Sequence, residues 1–239
     1  MIRVSDISKS FGKSRILDGL TIDLNQGRSV ALIGPNGSGK TTFIKCLLGL
    51  CIPDQGKITV AGLDIKGAWT YRNKIGYMPQ IGRYPDNITV RHLIEMIQGI
   101  RNESKNNLDL ELYEAFNIRS FENKTMQSLS GGMRQKVSAS IAFMFKPEIL
   151  ILDEPTAGLD PVASEILKEK VIREQQKGKL ILITSHILSD LEEIATDIAF
   201  IHEGKLIFCK SADELKEDTG TTQLSRSIAQ IMQQNEFYA

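Results

Sequence analysis

The residues Gly34-Pro35-Asn36-Gly37-Ser38-Gly39-Lys40-Thr41 suit one task well, the holding of a polyphosphate. Glycines at this density let successive backbone N–H groups turn toward one anion, and a helix starting behind them adds its N-terminal field. Lys40 carries its cation on a stem that reaches β- and γ-phosphates, Thr41 offers a hydroxyl to Mg²⁺, and Thr42 follows in the same turn. Such a loop needs a strand before it and a helix after it. The apolar run Ser29-Val30-Ala31-Leu32-Ile33 leads in and Thr42-Phe43-Ile44-Lys45-Cys46-Leu47-Leu48 leads out, so the context a mere glycine-rich turn would lack is present.

Two further segments carry chemistry. In Ile149-Leu150-Ile151-Leu152-Asp153-Glu154-Pro155 a buried-strand pattern ends in two carboxylates, at the edge where parallel sheets bind ligands. Asp153 suits a Mg²⁺ ion that keeps few carboxylates and several waters. Glu154 is then left to orient or deprotonate a water attacking the γ-phosphate. A single acid there would read as a solvated strand end; two acids beside a phosphate loop do not. The segment Leu129-Ser130-Gly131-Gly132-Met133-Arg134-Gln135-Lys136 makes a second anion site of the helix N-terminus type. One fold has little use for two such sites unless both reach the same nucleotide.

Periodicity locates the elements that must hold these groups. Residues 2–8 and 16–24 alternate apolar and polar around a Gly12-Lys13 turn, and Lys57-Ile58-Thr59-Val60 is a third short strand. These predict an antiparallel patch against the phosphate-loop core. From Thr89, a suitable N-cap, Val90, Leu93, Ile94, Ile97 and Ile100 recur at helical spacing. A second helix runs through Leu110, Leu112, Tyr113 and Phe116, and residues 84–146 read as a helical lobe. Beyond Pro147 the pattern is β–α–β: apolar 149–152, a helix over 162–176, apolar 180–183, then a helix over 188–195 and a strand over 198–202 before a Glu203-Gly204 hairpin. The continuous apolar runs are those of parallel strands covered on both faces. Residues 219–239 are polar with a weak helical stripe at Leu224, Ile228 and Ile231, and are expected to be a peripheral helix or disordered.

Bulk properties narrow the class. The 239 residues carry 29 Lys plus Arg against 29 Asp plus Glu, so no charge excess points to nucleic acid. Cys46, Cys51 and Cys209 lack metal-ligand spacing and fit a reducing compartment with burial as their default. Charge appears too early at the N-terminus for a secretory leader, and no apolar stretch nears the ~20 residues that cross a bilayer, so a soluble protein is expected.

Taken in order, these motifs resemble the ATP-binding subunit of an ATP-binding-cassette (ABC) transporter over roughly residues 1–215. The resemblance rests on the loop at 34–41, Gln80, Leu129-Ser130-Gly131-Gly132, Asp153-Glu154, Gly158-Leu159-Asp160 and His186. It implies an α/β fold with a P-loop NTPase (RecA-like) core, an N-terminal antiparallel β subdomain and an inserted helical lobe. Residues 1–218 would form that nucleotide-binding domain. It implies ATP and Mg²⁺ as cofactors, Thr41, Gln80 and Asp153 around the metal, and Glu154, Gln80 and His186 around the attacking water and γ-phosphate. Phe11 takes the place of the adenine-stacking aromatic, where tyrosine is usual, with core packing as its alternative; Met133 replaces a usual glutamine. Asp160 is carried over as a residue of the nucleotide interface.

The same resemblance implies a head-to-tail homodimer in which each P-loop faces Ser130-Gly131-Gly132 of the other copy, with ATP between them. It also implies a separate membrane permease and a peripheral place on the cytoplasmic face of the cell membrane. The string Tyr77-Met78-Pro79-Gln80-Ile81-Gly82-Arg83-Tyr84-Pro85-Asp86-Asn87 resembles a narrower group, the ATPases that assist maturation of the copper sites of nitrous-oxide reductase. For that group an extracytoplasmic maturation factor is a further partner. The alternatives are the ATPase of another exporter, of drug, lipid or ion, and a soluble non-transport ABC ATPase. A P-loop kinase or GTPase would lack the 129–132 signature, and no Asn-Lys-x-Asp string is present.

Overall fold

A continuous apolar strand can be buried only between two layers, and four such strands organise this molecule. The computed structural model describes residues 1–185 and 187–234. The chain opens with β1 (Ile2–Phe11), β2 (Ser14–Leu24) and β3 (Ser29–Ile33), then the glycine loop and helix α1 (Lys40–Leu47). Strands β4 (Gln55–Val60), β5 (Leu63–Asp64) and β6 (Ile75–Met78) follow, then helices α2 (Val90–Arg101), α3 (Glu111–Ala115) and α4 (Gly131–Met144). The last part alternates: β7 (Ile149–Asp153), α5 (Pro161–Gln176), β8 (Leu180–Thr184), α6 (Leu188–Ile194) and β9 (Asp197–His202). Strand β10 (Lys205–Ser211) and helices α7 (Ala212–Thr219) and α8 (Leu224–Gln234) complete it.

The central sheet has the order β10-β9-β3-β8-β7-β6, parallel except for the β9–β10 hairpin. Its strands alternate between two cores. Ala31, Ile33, Leu150, Leu152, Ile181, Ile183, Ile198 and Phe200 face a layer of helices. Val30, Leu32, Ile149, Ile151, Leu180, Leu182, Ala199 and Ile201 face α1 and the antiparallel sheet. At about 25 cal/mol per Å² of apolar surface, this double burial dominates the stability of the fold.

The antiparallel sheet runs β2-β1-β4-β5. Ile2 opposes Leu24 and Val4 opposes Ile22, which sets the buried face. Ala61 (φ 49°) and Gly62 (φ 81°) form the left-handed pair of a two-residue hairpin that adds the short β5. The Glu203-Gly204 hairpin is present and leads into β10, whereas the sequence patterns do not reveal β5, β6 or α7, which are short or partly exposed. Strand β1 also runs on to Phe11, three residues past the alternating stretch, across register shifts next to Asp6 (φ 53°).

Between β6 and β7 the regular structure of the described chain is helical, apart from one isolated bridge between Thr89 and Thr125. Thr89 caps α2 by accepting from His92 N at 3.2 Å. Helix α4 is buried along most of its length, and its polar Ser138 is matched by Tyr84 Oη at 2.8 Å. Helix α8 packs Leu224, Ile228 and Met232 into the helical-side core, so residues 224–234 belong to the packed body.

Helix α5 joins core and lobe through buried charge. Lys170, 1% exposed, contacts Asp109 (2.7 Å), Glu111 (2.6 Å) and Glu174 (3.2 Å). Burial pushes the Glu174 carboxyl up, but hydrogen bonds from Lys177 and Lys179 and the nearby Lys170 outweigh it and bring the value to about 2. A depressed carboxyl stabilises the fold above its unfolded value of 4.5, and that contribution fades as pH falls toward 2. Glu174→Gln should therefore cost about 3 kcal/mol at neutral pH in urea unfolding. The gap from wild type should narrow steadily below pH 4.5, and a pH-independent gap would contradict this assignment.

Candidate functional site

The central strands end together on one side of the sheet. Asp153 of β7 lies beside Thr184 of β8, and Met78 of β6 lies beside Leu152 of β7. The glycine loop leaves β3 at this same edge. Here a cavity of about 430 Å³ is lined by Phe11, Ile16, the loop residues Asn36, Gly37, Ser38, Gly39, Lys40, Thr41 and Thr42, and by Gln80, Asp153, Glu154 and Thr184.

The loop is held open by close backbone contacts. A Cβ on Gly34 (φ 151°) would meet Ile201 O at 2.0 Å, and one on Gly39 (φ 107°) would meet Ile16 O at 2.8 Å. Ser38 O accepts from Gly204 N at 3.0 Å, and Gly204 O accepts from Asp18 N at 3.0 Å, so the loop is tied to β2 and to the β9–β10 turn. Gly39 leads into α1 with no side-chain cap, which leaves the first N–H groups of the helix to an outside acceptor. The buried hydroxyl of Ser38 likewise has no hydrogen-bond partner among the described residues. These are donors in want of an anion, and they fit a triphosphate.

Lys40 Nζ donates to Gly34 O at 2.7 Å and Pro35 O at 2.9 Å, which lays its ammonium across the loop. Burial lowers its pKa, while the negative charges of Glu154 and Asp153 raise it in part. Asp153 is 9% exposed, and its Oδ1 accepts from Thr184 Oγ1 at 2.6 Å. That hydroxyl also accepts from Glu154 N at 3.0 Å. Glu154 itself sits in the left-handed region at φ 51°, a conformation that costs roughly 1 kcal/mol for a side chain with a Cβ. Both consecutive acids nevertheless line the same cavity. Burial, then Asp153, pushes the neighbouring Tyr77 phenol up to about 12, so it stays protonated.

Hard oxygen donors from Thr41, Gln80 and Asp153 line one cavity and suit Mg²⁺ completed by phosphate and water. Among the described residues no cluster of three His, Cys, Asp or Glu could hold a metal on its own. Phe11 is 55% exposed and lies under Lys9 Nζ at 5.5 Å from the ring, so it is a wall of the cavity and not part of the core.

Ser130, Gly131, Gly132 and Asp160 gather elsewhere. Ser130 caps α4 by accepting from Met133 N at 3.3 Å, and it is exposed together with Gly131. A Cβ on Gly132 would meet Gly158 O at 2.7 Å, so this glycine lets α4 approach the 158–160 loop. Asp160 caps α5 through Ala163 N at 2.9 Å and pairs with Lys136 at 2.6 Å. None of the four lines the cavity. Met133, at the place of the usual glutamine, packs against the helical core. His186 lies outside the described residues. Thr184 escaped sequence reasoning because its partner is set by strand register, and a hydroxyl ending an apolar run was the only signal.

This arrangement defines a P-loop nucleotide hydrolase with an inserted helical lobe. Residues 17–157 match the ABC transporter family, and the chain belongs to it. It is 36% identical over 92% of its length to the uncharacterized ABC transporter ATP-binding protein YhaQ of Bacillus subtilis, of which it covers 74%. It is 34% identical to the lantibiotic transport ATP-binding protein SrtF of Streptococcus pyogenes, over 89% of this chain and 92% of that one. A solved structure of an ATP binding subunit of an ABC transporter superposes with a TM-score of 0.90 at 28% identity, covering 97% of this chain and 99% of that one. The chain is an ABC-type ATPase.

Thr184→Val keeps shape and removes the donor to Asp153. Urea unfolding should show a loss of about 1–3 kcal/mol, the cost of an unmet buried carboxylate oxygen. Unchanged stability would mean that this hydrogen bond does not hold Asp153 in place.

Proposed function

We propose that two copies of this chain clasp two ATP molecules between them and that their closing and opening drives a separate membrane permease. The observation that carries this reading is the split between donor sets. One chain holds the triphosphate-binding loop in its cavity and displays a second, exposed anion site at Ser130-Gly131 that no part of its own cavity uses. A head-to-tail pair completes each cavity with the partner copy's second site. ATP then joins the copies, and its hydrolysis releases them.

Within each cavity Lys40 and the loop N–H groups take the phosphates, and Ser38 adds its buried hydroxyl. Thr41, Asp153 and Gln80 would hold Mg²⁺, which when bound would supply neutralisation of phosphate charge. Glu154 accepts the proton of the attacking water, and His186 contacts the γ-phosphate. Phe11 offers its ring face to adenine. Asp160 orders the interface through its cap and its pairing with Lys136. No helix among the described residues is long and apolar enough to cross a membrane. The place of work is the cytoplasmic face of the membrane, on a permease of separate chains.

For the pathway, we infer maturation of the copper sites of nitrous-oxide reductase, assisted by an extracytoplasmic factor. Its support is the 77–87 string around Gln80. Export of a peptide or drug is the rival reading, favoured by similarity to the lantibiotic protein above and, at 33% identity, to the linearmycin resistance ATP-binding protein LnrL of Bacillus subtilis. Loss of the gene should leave nitrous-oxide reductase short of copper. Normal copper content with new sensitivity to an antimicrobial compound would favour the rival.

Glu154→Gln should lower turnover at least ~100-fold, retain ATP, and elute as a dimer on size-exclusion chromatography when ATP is saturating. A variant that stays monomeric would remove the clasp from this account. Lys40→Ala loses a charge-assisted contact of roughly 1.5–3 kcal/mol, so calorimetry should show ATP binding weakened about 10- to 100-fold. Wild-type affinity would place Lys40 outside the site.

A further inference from the structure

Two cysteines that the nucleotide chemistry does not use lie against each other behind the phosphate loop. Helix α1 ends in a tight reversal at Gly49 (φ 66°). There Gly49 N donates to Cys46 O at 3.0 Å, and Leu50 N and Cys51 N both donate to Lys45 O, at 2.9 and 3.1 Å. The reversal folds Cys51 back beside the last turn of α1. Cys46 is 0% exposed and packs in the core with Phe43 and Leu47. Burial, then the adjacent Cys51, which also hydrogen-bonds its side chain, pushes the Cys46 thiol up to about 12.

The two thiols differ in access. Cys51 is half-buried and lines an open cleft of about 540 Å³ with Ile52, Pro53, Lys57, Trp69 and Arg72. Cys46 does not line that cleft. Lys9, held by Asp54 at 2.7 Å, lies within electrostatic reach of both. An accessible thiol backed by a buried one in direct contact is the arrangement in which a mixed disulfide resolves internally.

We propose that Cys46 and Cys51 form a reversible intramolecular disulfide, entered at Cys51 by a small-molecule disulfide such as oxidised glutathione. The Cys51 thiolate attacks one glutathione sulfur, the glutathione S–S bond breaks, and one glutathione thiolate leaves. Cys46 then loses its proton to solvent and attacks the Cys51 sulfur, which expels the second glutathione. Two protein thiols are oxidised, one glutathione disulfide is reduced to two thiols, and the ring closes on the helix that carries Lys40 and Thr41 at its other end. The high pKa of Cys46 makes the second step the slow one and favours it at alkaline pH.

Full-length protein should be incubated with oxidised glutathione, denatured, alkylated and digested with trypsin. Residues 46–57 form one tryptic peptide that holds both cysteines. Its mass should fall by two hydrogens with neither alkyl group nor glutathione attached, and dithiothreitol should restore both alkylation sites. The exposed Cys209 serves as a reactive control in the same digest. Cys46→Ser should instead trap glutathione on Cys51; if that variant does not fold, the wild-type peptide decides the matter alone. A stable glutathione adduct on wild-type Cys51 with Cys46 still alkylated overturns the proposal. So does a 46–57 peptide alkylated twice while Cys209 carries glutathione.

Discussion

A phosphate loop whose buried Ser38 hydroxyl finds no acceptor among the described residues, ahead of a helix with no side-chain cap, is the constraint on which this structure turns. The loop between β3 and α1 points N–H groups and the Ser38 hydroxyl into a cavity where no described residue accepts from that hydroxyl. Such a loop would collapse onto any nearby carbonyl if it could move. It cannot, because Gly34 and Gly39 pass within contact distance of Ile201 O and Ile16 O, and Gly204 fastens Ser38 O. The cost of leaving these groups unmet is held in the fold until an anion arrives.

The acidic side of the cavity obeys the same logic. A hydroxyl between two strands, Thr184 Oγ1, donates to Asp153 and accepts from the backbone of Glu154. That one side chain fixes a buried carboxylate and braces the left-handed turn at Glu154. Lys40 feels both of them, so loop and acids form one electrostatic unit although about 110 residues lie between them in sequence.

The helical lobe is attached by charge as well as by apolar packing. Lys170 draws Asp109 and Glu111 onto α5, and Lys136 draws the Asp160 cap onto α4. The first link meets the lobe near the C-terminal end of α4, where Asp109 N donates to Met144 O at 2.8 Å, and the second meets α4 near its Ser130 cap. Movement of the lobe relative to the core would act on these pairs first, since they are few and directional, whereas the apolar layers are broad.

Sequence alone was enough for the phosphate loop, the paired acids, the signature at 129–132 and the alternation of buried strands with helices. Each is a local pattern whose chemistry depends on spacing along the chain. What needed the tertiary structure was everything set by register and by close approach between distant segments. Asp153 meets Thr184 because β7 and β8 pair in one register. Phe11 lines the cavity because β1 runs past its alternating stretch, and Cys51 meets Cys46 because Gly49 turns the chain back. Spacing is written in the sequence, but the distance between two strands or across a helix end is fixed only when apolar layers close and exclude every other register.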